Sequence, residues 1–135
     1  MILDTEQDTM DFAKNLARTL KKQDIVALCG DLGTGKTLVA RTIIRHFCGD
    51  NTVVTSPTFN ILQTYEAPEF TIYHYDLYRL KVFNEIYELG FDDAFNNLCI
   101  IEWPEIVEPI LPKPYIKIEL QIQGDSRSCL KSIVG

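Results

Sequence analysis

The sequence has no long hydrophobic run, no cysteine pair and little positive charge. No apolar run reaches the roughly 18 residues of a membrane-spanning helix, and acidic residues follow Met1-Ile2-Leu3 so closely that we expect no signal peptide. The four cysteines are widely spaced and form no C-x-x-C pair, which argues against a zinc site. Cys29 and Cys99 lie in apolar runs, where buried thiols are expected. These absences predict a protein of the reducing cytoplasm with no membrane contact.

Basic residues are outnumbered, with 13 Lys and Arg against 19 Asp and Glu, a net charge of −6. Nucleic-acid binding usually needs a basic surface that displaces counterions, and the longest basic run is Lys21-Lys22. Any RNA substrate is therefore expected to be held by a partner protein. The 46% apolar and 24% charged composition is that of an ordinary globular protein. We expect residues 1–135 to form a single domain, without repeats or linkers.

What the chain does contain is a phosphate-binding loop. The pattern G-x-x-x-x-G-K-[ST] is matched without exception by Gly30-Asp31-Leu32-Gly33-Thr34-Gly35-Lys36-Thr37. A short apolar run precedes it and apolar residues at helical spacing follow it, the strand–loop–helix context that the motif requires. Glycines let the loop turn its amides toward an anion. Lys36 can reach the β and γ phosphates, and the Thr37 hydroxyl is placed for Mg²⁺.

Hydrophobic periodicity predicts the remaining elements. Helices are expected at about 6–21, after the loop to Gly49, and over 77–88, with a short turn near 92–95. Strands are expected at about 25–29, 53–59, 60–65, 70–76, 98–101 and 115–123, and the tail from Gly124 shows little pattern. The strands at 60–65 and 70–76 should form a hairpin. The predicted fold is α/β: a three-layer P-loop NTPase with a mostly parallel central sheet, an antiparallel hairpin and helices on both faces.

A magnesium–triphosphate site needs a carboxylate at the end of a buried strand, and two residues are candidates. Glu102 ends a fully apolar run and is the better metal ligand on burial alone. Asp76 ends an alternating run and is suited to orienting a water or the metal's coordination sphere, although strand-end aspartates often only cap turns. By default, His74 is a packed histidine and Trp103 is a core or rim aromatic.

Four blocks together resemble the TsaE (YjeE) family, small bacterial P-loop ATPases needed to make threonylcarbamoyladenosine in tRNA. Besides the loop with Arg41 after it, they are Ser56-Pro57-Thr58-Phe59, His74-x-Asp76-x-Tyr78-Arg79 and Glu102-Trp103-Pro104-Glu105. The resemblance covers most of the chain. It implies an ATPase that is weak alone and acts with TsaB and TsaD, the second of which transfers the threonylcarbamoyl group to tRNA.

Residue roles also follow from the resemblance. It implies that Lys36 holds phosphate, that Thr37 and Glu102 serve Mg²⁺, and that Asp76 acts in hydrolysis. The segment Ser56–Phe59 resembles a nucleotide-responsive loop in which Thr58 senses the terminal phosphate and the metal, and Trp103 lies beside the nucleotide.

Two other functions compete with this hypothesis. A small-molecule or nucleotide kinase of the P-loop class usually needs several arginines to clamp two phosphate-bearing substrates, but the five arginines here are scattered. The second alternative is a nucleotide-gated binding module whose hydrolysis is incidental. Acceleration of hydrolysis by partner proteins would distinguish the ATPase subunit from such a module. A signalling GTPase is disfavoured because no N-K-x-D sequence occurs.

Overall fold

A seven-stranded mixed sheet forms the centre of the computed structural model, which describes residues 1–55, 57, 61–80, 85, 88 and 90–135. The strands are β1 (Ile2–Leu3), β2 (Ile25–Cys29), β3 (Leu62–Glu66), β4 (Thr71–Asp76), β5 (Leu98–Glu102), β6 (Tyr115–Gln123) and β7 (Ser126–Val134). The helices are α1 (Glu6–Ala17), α2 (Lys36–Cys48) and α3 (Phe91–Ala94), and two 3₁₀ turns span Pro104–Ile106 and Glu108–Ile110.

The strand order is β1-β7-β6-β2-β5-β4-β3. Strands β6, β2, β5 and β4 are parallel neighbours, whereas β1–β7, β7–β6 and β4–β3 pair antiparallel. The sheet is therefore mixed, whereas the sequence had led us to expect a mostly parallel sheet. The difference arises because a C-terminal hairpin and a short N-terminal strand extend one edge. The antiparallel hairpin predicted for β3 and β4 is confirmed.

The central strands β2 and β5 are buried on both faces, which is why they are continuously apolar. Alternate residues of β2 contribute to two separate cores. Val26 and Leu28 pack in a cluster with residues of α1 and α2. Ile25 and Ala27 belong to a second cluster, which contains residues of α3 and of the segment after β5. Helices α1 and α2 thus cover one face of the sheet, and shorter elements cover the other.

Capping explains where the two long helices begin and end. The Thr5 hydroxyl accepts the Asp8 N–H at 3.0 Å, and the Asp8 carboxylate accepts the Thr5 N–H at 3.2 Å, a reciprocal capping box. Helix α1 ends at Ala17, earlier than the predicted residue 21. The next residues form turns in which each backbone N–H donates to the carbonyl three residues earlier, Thr19 to Leu16 and Leu20 to Ala17. Helix α2 ends before Gly49 as predicted.

Three other expectations differ from the structure. Residues 53–55 form no strand, and residues 77–80 form a turn where a helix was expected; most of the rest of that predicted helix lies outside the described residues. The tail after Gly124 is not patternless, because β7 pairs with β6 along its whole length. A two-residue Gly124-Asp125 connection with positive φ at Gly124 signals such a hairpin, and the expectation overlooked it.

The cysteines agree with the expectation from their sequence context. All four are free thiols, and Cys29, Cys99 and Cys129 are buried. Burial raises the pKa of the Cys29 thiol to about 12, and the negative charges of Glu105 and Glu108 add to that shift. Within the described ranges, no helix is long and apolar enough to cross a membrane.

Candidate functional site

The carboxyl ends of three parallel strands meet at one edge of the sheet. Glu102, the last residue of β5, is in register with Leu28 of β2 on one side and with Asp76 of β4 on the other. The segment after β2 is the predicted phosphate loop, which leads directly into α2. The fold therefore brings the loop and both candidate carboxylates to the edge where open α/β sheets bind ligands.

The loop begins at a position that only glycine can occupy. Gly30 has a φ of +145°. A Cβ atom there would lie 2.5 Å from the Leu120 carbonyl oxygen and 2.7 Å from the Thr34 Oγ1. The loop is thus packed against the end of β6. Gly35, with a φ of +107°, turns the chain into the first turn of α2.

Internal hydrogen bonds hold the loop in shape. The Thr34 hydroxyl donates to the Asp31 carbonyl at 2.9 Å. The Lys36 ammonium donates to the same carbonyl at 2.9 Å and also to the Gly30 carbonyl. Helix α2 has no side-chain cap at its N-terminus among the described residues. The first amides of α2, at the positive end of its dipole, are therefore available to an anion.

Trp103 covers the Lys36 side chain. The Lys36 Nζ lies 4.0 Å from the centroid of the indole ring, within cation–π range. Trp103 adopts a left-handed backbone conformation with φ of 57°, and its backbone N–H donates to the Leu28 carbonyl at 3.2 Å. Burial lowers the pKa of the Lys36 ammonium, and the negative charge of Glu102 works against that shift. The cation is thus enclosed between the loop, an aromatic ring and acidic groups.

Glu102 is the centre of a buried hydrogen-bonded chain. The Thr37 hydroxyl donates to its Oε1 at 3.1 Å, and the His74 Nε2 lies 2.6 Å from its Oε2. Glu102 is 2% exposed and His74 is fully buried. The contact places the His74 proton on Nε2, facing the carboxylate, while Nδ1 has no hydrogen-bond partner in the described part of the chain. Both carboxylate oxygens of Glu102 are therefore fixed.

Asp76 occupies a more open position on the neighbouring strand. Its Oδ1 accepts the Tyr78 N–H at 3.0 Å. Burial raises the pKa of the Asp76 carboxyl; the Tyr78 hydrogen bond lowers it, and the Glu102 charge raises it further. A carboxylate with a raised pKa is a better proton acceptor than an ordinary aspartate.

A cavity of about 460 Å³ lies over these groups. Its lining includes both candidate carboxylates, the end of the loop and the start of α2: Leu32, Gly33, Gly35, Lys36, Thr37, Leu38, Asp76, Tyr78, Arg79, Glu102 and Trp103. A smaller cavity of about 250 Å³ lies on the other side of Gly33 and Gly35, against the start of α1. The cavity of about 460 Å³ falls in the size range of small-molecule sites.

Comparison with known proteins identifies the family. The family described as "Threonylcarbamoyl adenosine biosynthesis protein TsaE" matches residues 3–129. The chain belongs to the TsaE family. Proteins named "tRNA threonylcarbamoyladenosine biosynthesis protein TsaE" are similar over nearly the whole chain. The one from Rickettsia felis is 56% identical across 94% of this chain and 75% of its own length. The one from Bacillus subtilis is 34% identical across 88% and 75%.

The fold of this TsaE-family member also matches a solved structure. The crystal structure of Bacillus subtilis YdiB superposes with a TM-score of 0.81 at 28% identity, and the match covers 100% of this chain and 84% of YdiB. The mixed sheet with its flanking helices is thus shared with an experimentally determined protein.

Most residues predicted for the site lie together in the structure. Eight of them line the cavity of about 460 Å³: Leu32, Gly33, Gly35, Lys36, Thr37, Asp76, Glu102 and Trp103. Thr34 is buried and lines the smaller cavity, and Asp31 lines neither but provides the carbonyl that holds Lys36. Thr58 lies outside the described residues, as do Ser56 and Phe59 of the predicted responsive loop, so its role remains a prediction.

Two features were not assigned from the residues alone. His74 was given a default packing role, and the structure places it against Glu102. Tyr78 and Arg79 line the cavity although their residue types alone gave no role. Their position two and three residues after Asp76, in one block of the TsaE resemblance, was the available signal.

Replacing His74 with phenylalanine is expected to lower the free energy of unfolding by about 1–3 kcal/mol, because the buried Glu102 carboxylate loses its partner. His74→Gln retains an N–H donor and should recover part of that loss. Urea denaturation measures both, and His46→Phe on the exposed surface of α2 is the matched control. If His74→Phe is as stable as the parent, Glu102 does not depend on this contact.

Proposed function

We propose that the protein is a Mg-ATP-binding and ATP-hydrolysing subunit of the machinery that makes N6-threonylcarbamoyladenosine in tRNA, built on a three-layer P-loop NTPase fold. The observation that carries the proposal is the 3.1 Å contact between the Thr37 hydroxyl and the Glu102 carboxylate. It joins the last residue of the phosphate-loop motif to the carboxylate at the end of the adjacent buried strand. The names of the TsaE relatives from Rickettsia felis and Bacillus subtilis supply the pathway.

The phosphate-binding part consists of the loop and the start of α2. Loop amides and the uncapped N-terminus of α2 bind phosphate oxygens, and the dipole of α2 favours their negative charge. Lys36 adds a full positive charge in a partly dehydrated setting, where charge-assisted hydrogen bonds are stronger. Trp103 limits the movement of Lys36 and keeps water from one side of it.

Thr37 and Glu102 fit a magnesium ion. Magnesium is usually held by one or two protein oxygens, several waters and the phosphates of the substrate. Within the described ranges, no group of three or more His, Cys, Asp or Glu side chains is placed to hold a metal ion by itself. The Thr37 hydroxyl beside the Glu102 carboxylate instead agrees with a magnesium ion that also binds waters and phosphates. Bound magnesium supplies charge neutralisation on the transferring phosphate. His74 keeps the Glu102 oxygens oriented.

Asp76 is the residue we assign to hydrolysis. It borders the same cavity as Lys36 and Glu102, and burial raises its pKa. These properties suit a group that orients the attacking water and accepts its proton as the phosphorus–oxygen bond to ADP breaks.

Replacing Asp76 with asparagine should leave ATP affinity within a few fold of the parent but slow hydrolysis by a factor on the order of 10² or more, since general-base catalysis contributes about 10²–10⁴. Single-turnover hydrolysis with saturating enzyme separates chemistry from binding, and Asp93→Asn on the exposed surface of α3 is the control. Hydrolysis at the parental rate would remove Asp76 from the mechanism.

The partners belong to the proposal as well. We propose that the protein acts in the cytoplasm with TsaB and TsaD, that it is a weak ATPase alone, and that tRNA is reached only through these partners. A reconstituted assay with TsaB, TsaD, ATP, a threonylcarbamoyl donor and unmodified tRNA tests this directly. Adding the protein should increase the yield of modified tRNA, because the proposed subunit supports repeated turnover of TsaD. Equal yields with and without it would contradict the proposal.

The kinase alternative has less support. Kinases of this loop class use several arginines to hold two phosphate-bearing substrates. Of the described residues lining the cavity of about 460 Å³, Arg79 is the one arginine.

A further inference from the structure

A second surface feature adjoins the cavity of about 460 Å³ that the proposed function assigns to the nucleotide, here called the nucleotide cavity. A groove of about 570 Å³ runs along the packed helices α1 and α2. Half of its ten lining residues are basic and one is acidic: Lys14, Arg18, Arg41, Arg45 and His46, with Asp50. We call this surface the basic groove. Four of the 13 Lys and Arg residues thus gather here, in a chain of net charge −6.

The cations of the basic groove are not neutralised within the described part of the protein. Arg18 donates to the Asn15 side-chain oxygen at 2.8 Å, and Arg45 donates to the Thr52 carbonyl at 3.1 Å, both neutral acceptors. No described carboxylate forms an ion pair with Lys14 or Arg41. The guanidinium groups are therefore oriented but keep their full charge.

The cations of the basic groove repel one another, although the helix dipoles favour Lys14 and Arg45 in the last turns of α1 and α2. Lys14 and Arg18 are one helical turn apart near the end of α1, and Arg41 and Arg45 are one turn apart on α2. Like charges at this spacing destabilise a helix, and here two such pairs line one groove. A local conflict of this kind is expected where a site serves function. An anionic partner would relieve it.

The surroundings favour a short acidic segment of a protein over RNA. The first half of α1 carries three acidic residues, Glu6, Asp8 and Asp11. Because four cations gather in the basic groove, the rest of the chain is more acidic than the net charge of −6 indicates. RNA is a continuous line of phosphates and would extend from the groove across this acidic surface. A partner protein that carries carboxylates on one helix or loop would contact only the basic groove. Its negative charges would then face the cations of the groove across the interface.

We propose that the basic groove is a docking surface for an acidic segment of a partner protein. The groove shares Leu38 with the nucleotide cavity, and two of its three arginines, Arg41 and Arg45, lie on α2, the helix that starts at Lys36. A partner bound there contacts the same helix whose N-terminus faces the phosphates. The choice of partner rests on the proposed function, in which TsaB and TsaD are the binding proteins.

The test compares two charge reversals on different helices, Arg41→Glu with Arg45→Glu and Lys14→Glu with Arg18→Glu. A matched control, Lys22→Glu with Lys131→Glu, changes exposed lysines outside the groove by the same charge. Affinity for the purified TsaB–TsaD pair is measured at several salt concentrations, together with ATP affinity. Poly-L-glutamate and unmodified tRNA serve as additional probes.

Both groove variants should bind the TsaB–TsaD pair more weakly by a factor on the order of ten to a hundred, with a shallower salt dependence, because like charges then face each other across the interface. The control should bind within about twofold of the parent. ATP affinity should be unchanged in all three, which shows that the variants are folded. Groove variants that bind the pair as the parent does would overturn the groove assignment and leave the proposed function intact.

The remaining outcomes are also decisive. If the parent does not bind TsaB–TsaD, the partner part of the proposed function fails, and poly-L-glutamate decides the groove. If the parent binds poly-L-glutamate and both groove variants lose that binding, the groove assignment is supported. If the parent does not bind poly-L-glutamate, the groove assignment is overturned. If the groove variants lose affinity for tRNA but not for the acidic polymer, the acidic-protein assignment is wrong and the groove is an RNA contact.

Discussion

Replacing Lys36 with alanine is expected to weaken ATP binding by a factor on the order of ten to more than a hundred. A hydrogen bond to a charged group contributes about 1.5–3 kcal/mol, and Lys36 is the buried cation next to the loop amides. Its partly dehydrated setting beneath Trp103 leaves little water to replace the lost contact. Isothermal titration calorimetry with a slowly hydrolysed ATP analogue measures the change.

Two controls make the Lys36 result interpretable. Lys131→Ala removes a lysine from the exposed surface of β7 and should bind ATP as the parent does. The thermal unfolding midpoint of Lys36→Ala should also be measured, because its ammonium holds the carbonyls of Gly30 and Asp31. A folded Lys36→Ala variant with parental ATP affinity would refute the assignment of the loop.

Replacing Glu102 with glutamine should abolish the dependence of ATP binding on magnesium. Glutamine keeps the size of the side chain: its oxygen can accept from Thr37, and its NH2 group can donate to His74 Nε2 once the imidazole proton moves to Nδ1, so the buried contacts largely survive. What disappears is the negative charge, which a divalent cation needs most. In the parent, ATP should bind more tightly with magnesium than with EDTA by about tenfold or more, because a contact to a charged group contributes about 1.5–3 kcal/mol. In the variant this ratio should approach one.

Glu105 provides the matched control for this experiment. It lies three residues after Glu102, in the first 3₁₀ turn, and is exposed. Glu105→Gln should keep the parental ratio of affinities with and without magnesium. If Glu102→Gln also keeps it, the metal role moves to Asp76, the other carboxylate at the cavity.

Much of the site could be predicted from the sequence because its signals are local. The loop is defined by eight consecutive residues, and Gly30 shows why one of them is fixed: a side chain would collide with the Leu120 carbonyl. Strand β5 was recognised as buried because apolar residues fill both of its faces. Its burial in turn favoured Glu102 as a metal ligand. Neighbouring parallel strands then align Asp76 with Glu102.

The features that escaped prediction depend on contacts between distant segments. Strand β7 alternates weakly on its own and is stabilised by pairing with β6 over nine positions. Strand β1 has two residues and exists because β7 offers it an edge. His74 gained its role from the 2.6 Å approach to a residue 28 positions away. The basic groove likewise combines two helices whose charges are unremarkable when each is read separately.

Steady-state ATP hydrolysis, measured alone and with TsaB and TsaD from the same organism, tests the central claim most directly. The account predicts low activity for the protein alone and a clear increase with the pair, lost in Asp76→Asn. Hydrolysis that is unchanged by the pair, with ATP still bound, would contradict the assignment to the modification machinery and direct attention to a kinase or a nucleotide-gated binding module.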